Sequence, residues 1–427
     1  MPFEWTYTLR NVLVGASILG LIGGVMGAFA LLRRQSLLGD ALAHAALPGV
    51  CLVFLLTGSK QPLPLLLGAL GAGVAGALVV LGIVRSSRVK EDSAIGLVLS
   101  VFFGFGILLL TRIQKLPGGN QSGLDKFLFG QAATLGVDDV KLMTIVGVVV
   151  LAVTALGFKE FKLLAFDSAF GQTLGFPMRG IEITLTALLV VVVVVGLQTV
   201  GVVLMVATLV APAAAARQWT DRLGLMVILS GAIGGSAGAA GAVLSATIPR
   251  LPTGPVIVLL SSLVLVVSLL FAPRRGIIWS KLREGAVRHR IRGENLLKDI
   301  YLAGERTGGH YENFVSLPAL MGMRGQSAAA LRSVAARLRR RGWLEPADDS
   351  LRLTEAGRGA AEQLVRKHRL WELYLTRRLE LAADHVHRDA ESMEHVLSDE
   401  NAAELDRQLG HPTRDPHGRA IPAQEQP

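Results

Sequence analysis

Asp40 and His44 lie one helical turn apart inside SLLGDALAHAALPGVCLVFLLTG, a stretch that is otherwise small or apolar. The i, i+4 spacing puts both side chains on one helix face. Desolvating a carboxylate and an imidazole within a lipid-spanning helix is costly, so such groups face a pathway or a partner. A carboxylate oxygen beside an imidazole nitrogen suits a divalent transition metal such as manganese, iron or zinc. The competing reading is a structural pair hydrogen-bonded between helices. Pro48 and Gly49, one turn further on, are expected to loosen the helix locally.

A second set of metal-type ligands lies near the other end of the chain. His387, Glu391, Glu394 and His395 follow i, i+4, i+7, i+8 spacing, which predicts one shared helix face. His368 and Glu372 form a further i, i+4 pair on the preceding helix. Packed together, these helices gather nitrogen and oxygen ligands that favour manganese, iron or zinc over calcium or magnesium. The alternative is a solvated charged face paired with neighbouring arginines.

The elements that position these residues divide the chain in two. Of 427 residues, 51% are hydrophobic, which is high for a soluble protein. Runs such as ITLTALLVVVVVVGLQTVGVVLMVATLVAPAAAA exceed the roughly 20 residues that cross a bilayer. Spans are expected at 12–33, 37–57, 62–85, 94–112, 140–158, 179–198, 200–217, 223–246 and 254–272, giving eight or nine helices, with the division around Gly196–Val210 left open. GALGAGVAGAL and GAIGGSAGAAGAV carry the small-xxx-small spacing that lets helix backbones approach closely. Arg33–Arg34, Arg85–Lys90, Lys159–Lys162 and Arg274–Arg275 place their loops, and the tail, in the cytoplasm, and leave 113–139 outside. The formal charge of +10 reflects these loops and an Arg-rich tail. One cysteine, Cys51, excludes an intrachain disulfide. The first apolar run is long enough to span, so no cleavable signal peptide is expected. Asp92 is expected to cap a helix starting at Ser93, and Glu182 to meet the positive end of a helix dipole.

Between spans, Lys159 to Pro177 is a polar-apolar interruption. A short helix carrying Phe161, Leu164, Phe166, Phe170 and Leu174 would offer an apolar knob to a partner's groove, or lie on lipid, and Gly175 and Pro177 would stop it. Residues 313–353 read helix, turn, helix and hairpin, a winged-helix plan. Its second helix, Ser327 to Arg341, carries Arg332, Arg337, Arg339, Arg340 and Arg341. Such a face can contact DNA through Arg332, Arg337 and Arg339, or remain solvated or against lipid headgroups.

Several blocks, in order, resemble the ABC importer permeases for manganese, zinc or iron: RRQSLLGDALAHAALPGV, VKEDSAIGLVLSVFFGFGILLL, KFLFGQAATLGVDDV, FKLLAFDSAFGQTLGF and VGVVLMVATLVAPAAAARQWTDRL, covering about residues 10–272. The resemblance implies a multi-pass permease of a bacterial inner membrane, working as a homodimer or paired permease. Its partners would be two ATPase subunits and an external metal-binding lipoprotein or periplasmic protein. It implies that Asp40 and His44 line the path, two copies facing across the dimer axis. The ATPase would dock on Phe161, Leu164, Phe166, Asp167, Phe170, Gly171, Leu174 and Gly175. No GxxxxGK[ST] loop is present, so no nucleotide site of that type is expected on this chain, and no catalytic residue is assigned.

LTEAGRGAAEQLVRKHRLWELYL and VHRDAESMEHVLSDENAAELDRQLGHPTRDPHGRAIP resemble the iron- and manganese-dependent repressors of the diphtheria-toxin-repressor type, over about residues 294–422. That resemblance implies one metal site at His368, Glu391, Glu394 and His395 and a neighbouring one at His368, Glu372 and His387. The acid at Glu391 tilts the metal towards manganese. Asn295 and Lys298 depart from the pattern, standing where manganese-type members carry acidic ligands. The expected architecture is an all-α polytopic membrane domain of eight to nine helices (1–275), a connector (276–293), a cytoplasmic winged-helix plus helical dimerisation and metal-binding domain (294–410), and a loose tail (411–427). The expected function is metal import, with a divalent ion (manganese, then zinc or iron) as substrate and as regulatory ligand of the tail. A membrane-tethered, metal-dependent transcription regulator is the rival reading; DNA is not the favoured partner.

Overall fold

The structure is a computed structural model that describes residues 7–35, 37–58, 61–115, 135–197, 201–248, 250–308, 314–325, 327–347, 349–382 and 384–423. Most of the expected outer loop, 113–139, lies outside the described residues. The chain forms two compact units, residues 1–280 and 281–427.

The first unit is helical. It runs α1 (Tyr7–Leu32), α2 (Leu38–Thr57), α3 (Pro62–Ser86), α4 (Glu91–Gln114), α5 (Val137–Leu156), two short helices α6 (Phe158–Phe166) and α7 (Ser168–Thr173), then α8 (Met178–Leu197), α9 (Val202–Trp219), α10 (Leu223–Thr247) and α11 (Thr253–Phe271). Among the described residues, eight of these (α1 to α5, α8, α10, α11) are long and apolar enough to cross a bilayer. The 18-residue α9 makes a ninth long apolar helix. The boundary left open by the sequence falls at Gly201, whose φ of 85° and ψ of 165° suit only glycine.

Small residues let α1 run through the middle of this unit. A Cβ at Gly20 would lie 2.1 Å from the Gly234 carbonyl oxygen, and one at Gly24 2.2 Å from that of Ser230. Backbone therefore packs on backbone between α1 and α10, and Ser230 Oγ donates to the Gly24 carbonyl at 2.6 Å. Leu97, Val101 and Leu108 of α4 point outward, as a lipid-facing side should. Asp92 sits in the first turn of α4, where Lys90 is the N-cap, so it favours the helix dipole and does not cap.

The second unit begins on α12 (Ile277–Arg306), a 30-residue helix that incorporates the expected connector. A winged helix follows: β1 (Val315–Ser316), α13 (Leu317–Arg324), α14 (Ala328–Arg340), β2 (Leu344–Ala347) and β3 (Ser350–Leu353). The sheet is antiparallel in the order β1-β3-β2, with Val315 opposite Leu351 and Leu344 opposite Leu353. Ser327 caps α14, Leu331, Val334 and Leu338 form its buried stripe, and Gly342 at φ 74° turns the chain out. These side chains pack on Leu296, Leu297 and Ile300 of α12.

α15 (Glu355–Arg378), α16 (His387–Met393) and α17 (Asp399–Gln408) complete the unit. The last segment corrects the expectation of a loose tail at 411–427. Over 411–423 it folds back on α15: Arg366 donates to the Pro422 carbonyl at 2.6 Å, Arg369 donates to that of Ala420, and Ile421 is buried beside Leu370 and Leu405.

Candidate functional site

Between residues 38 and 51 of α2, every side chain is buried except Asp40 and His44. That segment of the helix is enclosed apart from this one polar window. Asp40 Oδ1 lies 3.3 Å from His44 Nε2, with 30% and 16% of the respective side chains exposed. The imidazole meets the Phe103 ring edge-on at 4.6 Å. Its Nδ1 is buried with no hydrogen-bond partner. At 1.5 Å per residue, His44 is about 9 Å along α2 from Leu38. Asp40 is in the first turn, where the helix dipole favours a carboxylate. The helix continues through Pro48, and proline has no N–H to offer the His44 carbonyl four residues back. Gly49 serves packing: a Cβ there would lie 2.0 Å from the Gly68 carbonyl oxygen of α3.

The charged end of α2 is tied to its neighbours. Glu182 accepts from Arg33 at 2.6 Å and from Arg85 at 2.8 Å, and Gln35 donates to Glu91. Glu182 thus joins the ends of α1, α3 and α8, beyond the dipole role expected of it. A cleft of about 360 Å³ opens here, between these residues and α6 and α7.

The interruption forms two short helices, not one. Asp167 Oδ1 accepts from the Phe170 amide at 2.8 Å and caps α7. Phe161 and Leu164 are buried, with the Phe161 ring 5.9 Å from that of Phe29 on α1. The expectation that they belong to an outward knob is corrected: spacing along α6 turns them to the core. Gly171 is also buried, close under Met178. The outward apolar set is Phe166, Phe170, Leu174 and Phe176. Gly175 turns the chain at φ 82°. Phe176 was missed; its signal was its place between the Gly175 turn and Pro177.

In the second unit, His368, Glu372 and His387 converge. His368 Nε2 lies 3.2 Å from Glu372 Oε1 and 3.1 Å from His387 Nδ1, and His387 Nδ1 lies 3.0 Å from Glu372 Oε1. Ligand atoms of the three fall within 4.8 Å of one another. Asp415 and His417 approach the same Glu372 and were missed, because a segment read as loose brings them there. The cavity they line measures about 290 Å³. Burial pushes the Glu372 carboxyl up, but hydrogen bonds and charge from His368 and His387 outweigh it and hold the pKa at about 2. Burial pulls His368 down, and the Glu372 and Glu394 carboxylates more than reverse this, leaving it raised. Two imidazoles around an ionised carboxylate fit a transition metal ion.

The set His368, Glu391, Glu394 and His395 does not fit one. α16 ends at Met393, before Glu394 and His395, so the single helix face expected for His387, Glu391, Glu394 and His395 does not form. Glu391 is held by Arg324 at 2.6 Å. His395 turns to Glu294 at 2.6 Å and Asn295 at 3.1 Å. Lys298 lies against both His368 and Glu394, its Nζ 3.0 Å from His368 Nδ1 and 2.6 Å from Glu394 Oε2. On the winged helix, Arg339 is exposed, Arg337 half-buried, and Arg332 lies 3.3 Å from Asp349.

A bundle of membrane-length helices around a polar window, followed by a winged helix and a helical metal-site unit, defines a transport permease with a regulator-type appendage. The chain belongs to the ABC 3 transport family, whose model matches residues 6–272. Residues 354–423 match the iron dependent repressor, metal binding and dimerisation domain. The manganese transport system membrane protein MntC of Bacillus subtilis is 44% identical over 87% of this chain and 85% of its own length. The zinc transport system membrane protein TroC of Treponema pallidum is 49% identical over 66% of this chain and 94% of its own length. A probable metal transport system membrane protein of Chlamydia trachomatis is 31% identical over 98% of this chain and 97% of its own. Among solved structures, PsaBC from Streptococcus pneumoniae in complex with Fab aligns at 31% identity and a TM-score of 0.57, covering 65% of this chain and 96% of that one.

Proposed function

We propose that this chain is the membrane subunit of an ATP-driven importer of divalent transition metal ions, manganese ahead of zinc and iron. The observation that carries the reading is the polar window of α2, the one break in an otherwise buried 38–51 stretch. In a pair of permeases related by two-fold symmetry, two such windows would face each other and present two carboxylates and two imidazoles to a dication. A partly dehydrated ion needs these donors, and they must hold it weakly enough to let it go. The manganese and zinc transporters among the relatives support the substrate class.

ATP would be bound by partner subunits docked on Phe166, Phe170, Leu174 and Phe176. Movement of α6 would reach α1 through Phe161 and Phe29, and the Arg33–Glu182 contact ties the end of α1 to α8. In this reading the Arg33 end of the helices faces the cytoplasm of a bacterial inner membrane, an external binding protein delivers the ion, and the second unit is cytoplasmic. That unit would hold metal at His368, Glu372 and His387, with Asp415 and His417 closing the site, and slow import when metal is plentiful. A tethered DNA-binding regulator has the exposed Arg339 in its favour, but Arg332 is engaged by Asp349 within the wing.

The test is uptake of radioactive manganese into proteoliposomes holding the permease, its ATPase and its binding protein. ATP-dependent uptake, with zinc and iron competing less well than unlabelled manganese, is expected. Absence of ATP-dependent uptake of all three metals overturns the proposal.

A further inference from the structure

Lys298 is 3% exposed, and the Glu394 carboxylate it touches is fully buried. A buried ammonium is retained only where fixed partners replace its water. Here the partner is Glu394 at 2.6 Å, with His368 Nδ1 alongside at 3.0 Å, and both are groups that the repressor-like pattern assigns to a metal. The other ligands of that set are also engaged. Arg324 bridges Asp299 and Glu391, both at 2.6 Å, and His395 is paired with Glu294 and Asn295. A dication at this position would sit against an ammonium with no water between them.

We propose that the Lys298 ammonium is the resident cation of this position, so that the second unit takes one divalent ion where the repressor-like pattern has two sites. This rests on the reading that His368, Glu372 and His387 hold metal. The arrangement also serves that remaining site. Glu394 Oε2 lies 2.5 Å from His368 Nδ1. With Nδ1–H donated to Glu394, the lone pair of His368 Nε2 is free to face Glu372 and His387. A carboxylate behind a ligating imidazole fixes its ring and tautomer. Lys298 is thus a positioning residue: it neutralises Glu394, which orients His368.

The experiment counts manganese ions per purified full-length chain by equilibrium dialysis, and any ion held at Asp40 and His44 is common to all variants. Wild type is expected to lose one ion on His387→Ala. Adding Lys298→Glu to His387→Ala should restore one, because a carboxylate then replaces the ammonium beside Glu394. No gain in a double variant that elutes as a folded protein overturns the proposal. Should that variant fail to fold, His395→Ala alone decides: an unchanged count and affinity within about twofold supports the proposal, and loss of an ion overturns it. If His387→Ala removes nothing yet Lys298→Glu gains an ion, the reading of the His387 site fails while that of Lys298 stands.

Discussion

Lys298 and His44 are two polar residues with opposite circumstances. Lys298 has its charge matched by Glu394, whereas His44 keeps a buried Nδ1 without a partner. An unmatched buried atom in a native fold calls for water, an ion or another partner, and Glu394 Oε1 is a second such atom beside the matched Oε2. Breaking the matched pair should be severe: Lys298→Met is expected to lower the stability of residues 281–427 by about 3–5 kcal/mol, read as a fall in the denaturant midpoint of that unit. An unchanged midpoint would mean that the ion pair is immaterial. Metal removal is a separate case. Chelation should lower the melting temperature of the manganese-loaded protein, since an ion bound only by the folded state stabilises it by mass action. His387→Ala should abolish the difference between loaded and chelated samples. Asp40 and His44 were legible in sequence because they interrupt an apolar run. The role of Lys298 was not, because its neighbours His368 and Glu394 lie 70 and 96 positions away.

The helices themselves follow from composition, since each apolar window is long enough to span. Their order of packing follows from the glycines. Gly24→Val would drive a side chain into the Ser230 carbonyl, already within 2.2 Å of where a Cβ would sit. Loss of a monodisperse peak in detergent is expected, with Gly82→Ala, where a Cβ meets open space, behaving as wild type. Equal behaviour of the two would show that α1 and α10 tolerate separation. Sequence spacing was least informative over short elements. The α6–α7 interruption was read as one helix because apolar residues recur through it, but Asp167 caps a second helix midway and sends Phe161 and Leu164 inward. Likewise α16 stops at Met393, so four residues with helical spacing do not share a face. Tertiary partners such as Arg324 and Lys298 decide those directions.

For the molecule as a whole, the division at residue 280 separates the permease unit from the repressor-like unit proposed to control it. Truncation after Ser280 should leave ATP-dependent manganese uptake intact at low metal and remove its decline at high metal. If the truncated permease is still inhibited as strongly as the full chain, the second unit does not sense the ion. Both units were legible in the sequence as a shift from apolar to charged composition. The closure of the second unit by residues 411–423 was not, because a Pro- and Gly-containing stretch carries no periodicity to announce that Asp415 and Ile421 are buried.

The most direct test of the central claim, that the polar window of α2 carries the ion, is manganese uptake by the reconstituted complex with Asp40→Ala or His44→Ala. Assembly with the ATPase and basal ATP hydrolysis are measured on the same preparations. Uptake should fall at least about tenfold, the scale of losing one metal-ligand interaction worth about 1.4 kcal/mol or more, while assembly and hydrolysis persist. Wild-type uptake by both variants would contradict the account.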